Sequence, residues 1–286
     1  MNHLNSGVYD DLVDLLLSEQ LSYLQEHHLR AALTEVEPAD MPRRIAEIAA
    51  VWVARVLNDL PEKERADRGV ELSRRLLELL RDVAPAAIQD GDELASPLKR
   101  LIAIEALTPD GDTQKVGQPL TPLRDTVLMT NARGEPGVGR ELAAEVESAE
   151  RIDLVCAFIR WTGIREMLPA LRRHVEAGRA LRVITTVYTG TTELRALETL
   201  QDLGAQVRVS YDTSKTRLHA KAWLFHRSNG HSAVYIGSSN LTYQAQVTGL
   251  EWNVRAAQQS NPSLVAKLEA TFESYWANSQ FELFDA

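Results

Sequence analysis

The sequence predicts an α/β domain with a mixed sheet flanked by helices, preceded by an all-helical domain. Three observations predict it. Apolar residues recur at intervals of three and four across residues 8–108, the period of amphipathic helices. A Pro-, Gly- and polar-rich stretch, PDGDTQKVGQPLTPL, then fills 109–123. Beyond it, short apolar runs of strand length alternate with helical periodicity, the pattern of a sheet covered on both faces. The predicted boundaries are a helical domain over 1–112, a linker over 113–123 and an α/β domain over 124–286.

In the first domain, VYDDLVDLLLSEQLSYL, MPRRIAEIAAVWVARVLNDL, DRGVELSRRLLELLRDV and ELASPLKRLIAIEAL are the expected helices. Pro42 suits the first turn of the second, and Pro61, Pro85 and Pro97 punctuate the series. No cluster of reactive side chains stands out there, so a scaffold or docking role is expected.

In the second domain DTVLMT, RIDLVCAFI, ALRVITTVY, AQVRVSY, LHAKAWLFH, SAVYIGS and LEWNVRAA read as strands. GVGRELAAEVESA, GIREMLPALRRHVEAG and TTELRALETLQDLG read as helices, the last opened by a Thr cap. Gly178 and Gly204 end the latter two. NPSLVAKLEATFESYWAN closes the chain as a helix with an Asn cap and Pro262 beside it.

The composition excludes several classes. No apolar run approaches the roughly 20 residues that span a membrane, and no secretory leader is visible at the N-terminus. A single cysteine, Cys156, rules out an intramolecular disulfide framework, and a cytoplasmic location is expected. The net charge of −9 is uneven: residues 1–150 hold 16 Lys and Arg against 28 Asp and Glu, and residues 151–286 hold 15 against 12. There is no broad basic footprint, so any nucleic-acid binding rests on a local groove.

Chemistry concentrates between Arg217 and Arg255. In LHAKAWLF, strand alternation places His219, Lys221, Trp223 and Phe225 on one face, with His219 and Lys221 about 7 Å apart. Gly237-Ser238-Ser239-Asn240 follows the next strand, and its small side chains leave room for a ligand's oxygens. In LEWNVR, Leu250, Trp252 and Val254 alternate with Glu251, Asn253 and Arg255. Together these supply an imidazole (His219), a cation (Lys221), neutral donors (Ser238, Asn240) and a carboxylate able to orient imidazole (Glu251). That set suits displacement at phosphorus. His219, His226 and His231 fit no standard zinc spacing and no Cys accompanies them, so no metal or cofactor is expected. Arg133, in TNARGEP just past a strand end, and Tyr211 are candidates for substrate contact with Ser239. Tyr188 and Tyr211 lie near strand ends, where packing is the leading role and base stacking the alternative.

The run His219-x-Lys221, Gly237-Ser238-x-Asn240 and Glu251 resembles the phospholipase D superfamily, whose signature is His-x-Lys-x4-Asp followed by Gly-Ser-x-x-Asn or a close variant. The spacing resembles most closely the single-motif nucleases. The longer pieces LMTNARGEP, VSYDTSKTRLHAKAWLFHR and YIGSSNLTYQAQVTGLEWNVR resemble the phospholipase D-like domain at the N-terminus of certain bacterial DEAD/DEAH-box helicases. The resemblance covers about residues 120–286. It implies a metal-independent phosphodiesterase, foremost a DNA endonuclease, in which His219 forms a phosphohistidine. Lys221 and Asn240 would hold the phosphate with help from Ser238, and Glu251 would hydrogen-bond the imidazole. The family needs two such motifs per site and this chain has one, so the resemblance implies a homodimer, with a helicase as a further partner and no membrane. The alternative is a non-catalytic module that binds DNA or dimerises a helicase. One position departs from the signature: the family's Asp falls at His226, which reads as a solvated residue at a strand end.

Overall fold

The computed structural model describes residues 4–114, 116–132, 137–213 and 217–285. The chain divides into two units, Met1–Ile102 and Ala103–Ala286.

The first unit contains α1 (Leu15–Ser22), α2 (Met41–Asp59) and α3 (Arg65–Val83). Asp14 caps α1 by accepting from the Leu17 N–H at 2.7 Å, and a Pro sits in the first turn of α2. The fourth expected helix, over 93–107, is not formed. Pro97 removes an N–H and disfavours helical backbone before it, leaving too short a run on its N-terminal side to nucleate a helix. The end of that segment is instead strand β1 (Ala106–Leu107), paired with β2 (Thr113–Gln114). The turn between them is Pro-Asp-Gly, with Gly111 at φ +84° and its N–H bonded to the Thr108 carbonyl at 2.9 Å. Part of the expected linker is therefore ordered turn and strand.

The second unit then runs β3 (Val127–Met129), α4 (Val138–Ser148), β4 (Arg151–Cys156), α5 (Trp161–Ile164), α6 (Leu168–Glu176), β5 (Ala180–Thr186), α7 (Leu194–Asp202), β6 (Gln206–Ser210), β7 (Lys221–His226), β8 (Ala233–Gly237), β9 (Asn253–Ala257), α8 (Pro262–Ala277) and β10 (Phe281–Leu283). The main sheet has eight strands in the order β10-β6-β5-β4-β7-β8-β9-β3. β4, β5 and β6 are parallel, and every other neighbouring pair is antiparallel. β10 has no counterpart in the sequence reading; its Phe281 is buried against the core.

The alternation in LHAKAWLF separates two cores. Trp223 and Phe225 join Leu154, Leu142, Leu171 and Leu197 under α4, α6 and α7. Leu218, Ala222 and Leu224 join Val265 and Phe272 of α8 on the other face. Over residues 250–255 the polar Asn253 and Arg255 point inward and the apolar Leu250, Trp252 and Val254 outward: Arg255 is fully buried while Leu250 and Trp252 are exposed. Arg255 donates to Glu145 Oε1 at 2.9 Å and to the Asp125 carbonyl at 2.7 Å, and Glu145 also accepts from Tyr235. A buried guanidinium is tolerated because these partners replace its water.

Two expected caps are not made. Glu193, not a threonine, precedes α7, and Thr192 donates to the Thr186 carbonyl at 2.7 Å. Asn261 precedes α8 without capping it and donates instead to Thr126 Oγ1 at 2.5 Å. In both cases a tie to a neighbouring strand or loop outcompetes the local bond.

Candidate active site

Strand direction brings the motif residues to one end of the sheet. β4, β5 and β6 finish there, β7 and β9 begin there, and β8 ends there. Register sharpens this. Cys156 pairs with Lys221, Ala222 with Ile236, Gly237 with Asn253 and Asn253 with Met129. Lys221, Gly237 and Asn253 thus lie in one row across three strands.

β7 starts at Lys221, so His219 lies just ahead of the strand rather than within it. The two residues still meet. Lys221 Nζ donates to the His219 carbonyl at 2.7 Å and lies 2.9 Å and 3.1 Å from the ring nitrogens Nδ1 and Nε2. Neutral imidazole offers one acceptor nitrogen to such a donor. Lys221 is only 8 % exposed. Burial pulls its pKa below the ordinary lysine value, partly opposed by Cys156 and Glu251.

Phe158 completes the first wall. Its ring packs edge-on to His219 at 5.8 Å and against Tyr188 at 5.7 Å, and Lys221 Nζ lies 6.0 Å from its centroid. Its N–H donates to Asn240 Oδ1 at 3.3 Å. This fixes the Asn240 amide and leaves Nδ2 with no partner among the described residues, a donor available to an anionic ligand. The turn is held from both sides. The Leu241 N–H bonds the Phe158 carbonyl at 3.1 Å and the Arg160 N–H bonds the Leu241 carbonyl at 2.9 Å. Gly163 of α5 has no space for a side chain, because a Cβ there would lie 2.1 Å from the Leu241 oxygen.

The remaining candidates divide. Ser239 accepts from Asn253 Nδ2 at 2.8 Å and donates to the Ala245 carbonyl at 3.5 Å, so it braces the turn. Ser238 is hydrogen-bonded to the Glu251 carboxylate and accepts from the Trp252 N–H at 3.1 Å. Glu251 lies ahead of β9 and its described partner is Ser238, not His219. The glycine at 237 serves the sheet: a Cβ there would fall 2.2 Å from the Trp252 oxygen and 2.4 Å from Asn253 Oδ1. Lys221, Asn240, Ser239, Asn253, Gln246 and Tyr235 share the lining of one small pocket. Tyr211 is exposed just beyond β6. Arg133 falls outside the described residues.

Sequence reasoning missed Phe158 and Asn253, which reach the site through strand pairing rather than through a motif. Cys156, read as a small hydrophobe, is buried beneath the site. Its sulfur donates to the Phe158 carbonyl and accepts from the Leu241 N–H, and burial pushes its pKa up to about 11. His226 is not solvated. Its Nε2 lies 2.7 Å from Asp153 Oδ2 and its Nδ1 3.2 Å from Glu269 of α8. Asp153 is also gripped by Arg182 through two bonds of 2.6 Å and 2.8 Å. His226, where the signature has an Asp, instead contacts a carboxylate of the neighbouring strand, Asp153. His226, His231 and His219 have separate partners, and the described residues contain no group of three or more His, Cys, Asp or Glu able to hold a metal ion.

Residues 142–276 match the family model described as "Cardiolipin synthase, PLD-like domain". Among the curated proteins no sequence matches this chain. Solved structures similar to it include Nuc, a phospholipase D family member from Salmonella typhimurium, at 17% identity over 57% of this chain and 100% of that one, TM-score 0.44. NucT from Helicobacter pylori is similar at 13% identity over 56% and 99%, TM-score 0.43. The yeast tyrosyl-DNA phosphodiesterase is similar at 16% identity over 46% and 31%, TM-score 0.32. No described helix is long and apolar enough to cross a membrane. The family-model match falls on the sheet that gathers His219, Lys221 and Asn240 at one end, and residues 142–276 of the second unit are similar to a phospholipase D-like domain.

Proposed function

We propose that the second unit is a metal-independent phosphodiesterase that cuts DNA through a phosphohistidine intermediate. The observation that carries this is the contact of His219 with Lys221, which shares one small pocket with Asn240, whose amide Nδ2 has no partner among the described residues. In this reading Lys221 and Asn240 bind the non-bridging oxygens of a phosphodiester, and their donors strengthen as charge builds there. A His219 ring nitrogen attacks phosphorus, an N–P bond forms, and the bond to the leaving oxygen breaks. The leaving oxygen takes a proton from a second imidazole. That imidazole then removes a proton from water, whose oxygen attacks phosphorus and releases His219. Since His226 and His231 are engaged elsewhere, the second imidazole comes from His219 of another copy across a two-fold axis. Ser238 and Glu251 form one hydrogen-bonded unit at the rim, in position to orient that partner. The motif resemblance favours DNA as substrate and a helicase, in the same or another chain, as companion.

Incubation of the purified chain with plasmid and oligonucleotide DNA in EDTA tests this. Wild type is expected to cleave and His219→Ala to lose at least 100-fold in rate, in the range expected for removing a covalent nucleophile. Equal behaviour of the two proteins defeats the proposal. The second reading, a DNA-binding module without turnover, draws on the Glu251–Ser238 bond, which leaves His219 without a carboxylate partner among the described residues. DNA binding that persists in His219→Ala, with no cleavage by either protein, favours it.

A further inference from the structure

The three parallel strands end in the same way. β4 is followed by Phe158, β5 by Tyr188 and β6 by Tyr211, an aromatic within two residues of each strand end. The order β6-β5-β4-β7 sets them in sequence along the sheet's end: Tyr211, Tyr188, Phe158, then His219 and Lys221. With neighbouring strands about 4.8 Å apart, the row extends on the order of 14 Å from the site. Phe158 touches both Tyr188 and His219, so the row is continuous with the phosphate pocket. Tyr211 is exposed and Tyr188 half-buried.

Cations flank this row. Arg160 follows Phe158 by two, Arg217 precedes His219 by two, and Arg195 stacks over the Trp161 ring at 3.9 Å. All three arginines are exposed, and none pairs with a carboxylate among the described residues. Other arginines of this unit are committed: Arg151, Arg173, Arg182, Arg227 and Arg255 each bind an acid. Arg160, Arg195 and Arg217, free of such pairing, lie at the end of the sheet that carries the aromatics.

A duplex hides its base faces and presents two charged backbones, so binding one calls for a broad basic surface. This unit lacks one. A single strand exposes its bases, which stack on aromatic rings with little dependence on net charge, while a few cations follow one backbone. We propose that the row Tyr211, Tyr188 and Phe158, flanked by Arg160, Arg195 and Arg217, is a track for unpaired nucleotides, and that the substrate is single-stranded nucleic acid. This rests on the phosphodiesterase reading for turnover, though not for binding.

The test uses the full chain in EDTA with fluorescein-labelled oligothymidylate, single-stranded or annealed to oligodeoxyadenylate, and with bis(p-nitrophenyl) phosphate, a diester too small to reach Tyr188. Anisotropy is expected to give at least ten-fold tighter binding of the single strand. In Tyr188→Ala and Arg195→Ala that affinity falls about ten-fold, and the ratio of oligonucleotide to small-diester turnover falls with it. Unaltered circular dichroism melting keeps the result independent of folding. Equal affinity for strand and duplex, or variants that bind the strand as wild type does, overturns the track. If wild type turns over neither substrate, the phosphodiesterase reading fails, and the anisotropy alone decides the track.

Discussion

At the scale of single residues the site depends on one buried cation. Lys221 is held by the carbonyl and ring of His219, and burial lowers its pKa. A lysine whose folded pKa is depressed loses its proton below the usual 10.5. Phosphate binding that needs the ammonium is therefore lost as pH rises, with an apparent pKa under 10.5. A pH profile of KM against kcat is expected to show KM rising on the alkaline side, and Lys221→Met to raise KM at neutral pH about 100-fold through loss of charge-assisted bonds. An alkaline limb that persists unchanged in Lys221→Met contradicts this. His219, Lys221 and Asn240 were legible in the sequence because strand alternation and a Gly-Ser turn constrain their directions locally. Phe158 and Asn253 were not, because only the registers of β4 with β7 and of β8 with β9 bring them in. His226 was misread for the same reason: its partner Asp153 lies 73 residues away.

At the scale of elements, α8 packs against the second core, and it is tied to the sheet by ions as well as by Phe272 and Val265. Arg182 bridges Asp153 to Glu273 of α8, and His226 bridges Asp153 to Glu269. For Asp153, burial alone would raise the pKa, but the bonds from His226 and Arg182 prevail and lower it. Glu273 is lowered chiefly by its bond to Arg182. Depressed carboxylates stabilise the fold above their unfolded value, 3.8 for Asp153, and that contribution is lost as pH falls through the folded value. Asp153→Asn is expected to cost about 3–5 kcal/mol at pH 7 by stranding buried charge, and to flatten the acid limb of a urea-melt series. A full acid limb in the variant argues against this linkage. The caps of α7 and α8 teach a related lesson: Thr192 and Asn261 have the chemistry of caps, yet longer-range partners claim them.

At the scale of the whole molecule the proposed reaction needs two copies. Sedimentation of the 31.9 kDa chain is expected to give a mass near twice that value, and specific activity to fall on dilution as the dimer separates. A strict monomer with full specific activity refutes the shared site. The α/β class and the order of most elements were readable because periodicity is local. The strand order was not, since β10 joins the edge beside β6 and β3 joins the opposite edge beside β9.

The central pairing of the sheet has a kinetic consequence. β4 bonds to β7 through the register Arg151 with His226, across two intervening parallel strands and three helices of chain. Loop closure of that length precedes any reward from the contact, which slows folding. Until β7 arrives, β4 presents an apolar edge able to recruit another chain. Because Phe158 and Lys221 flank that pairing, the same closure that caps this edge also assembles the pocket. Activity should therefore return on refolding with the slow phase, and aggregation should compete with it before that phase and not after.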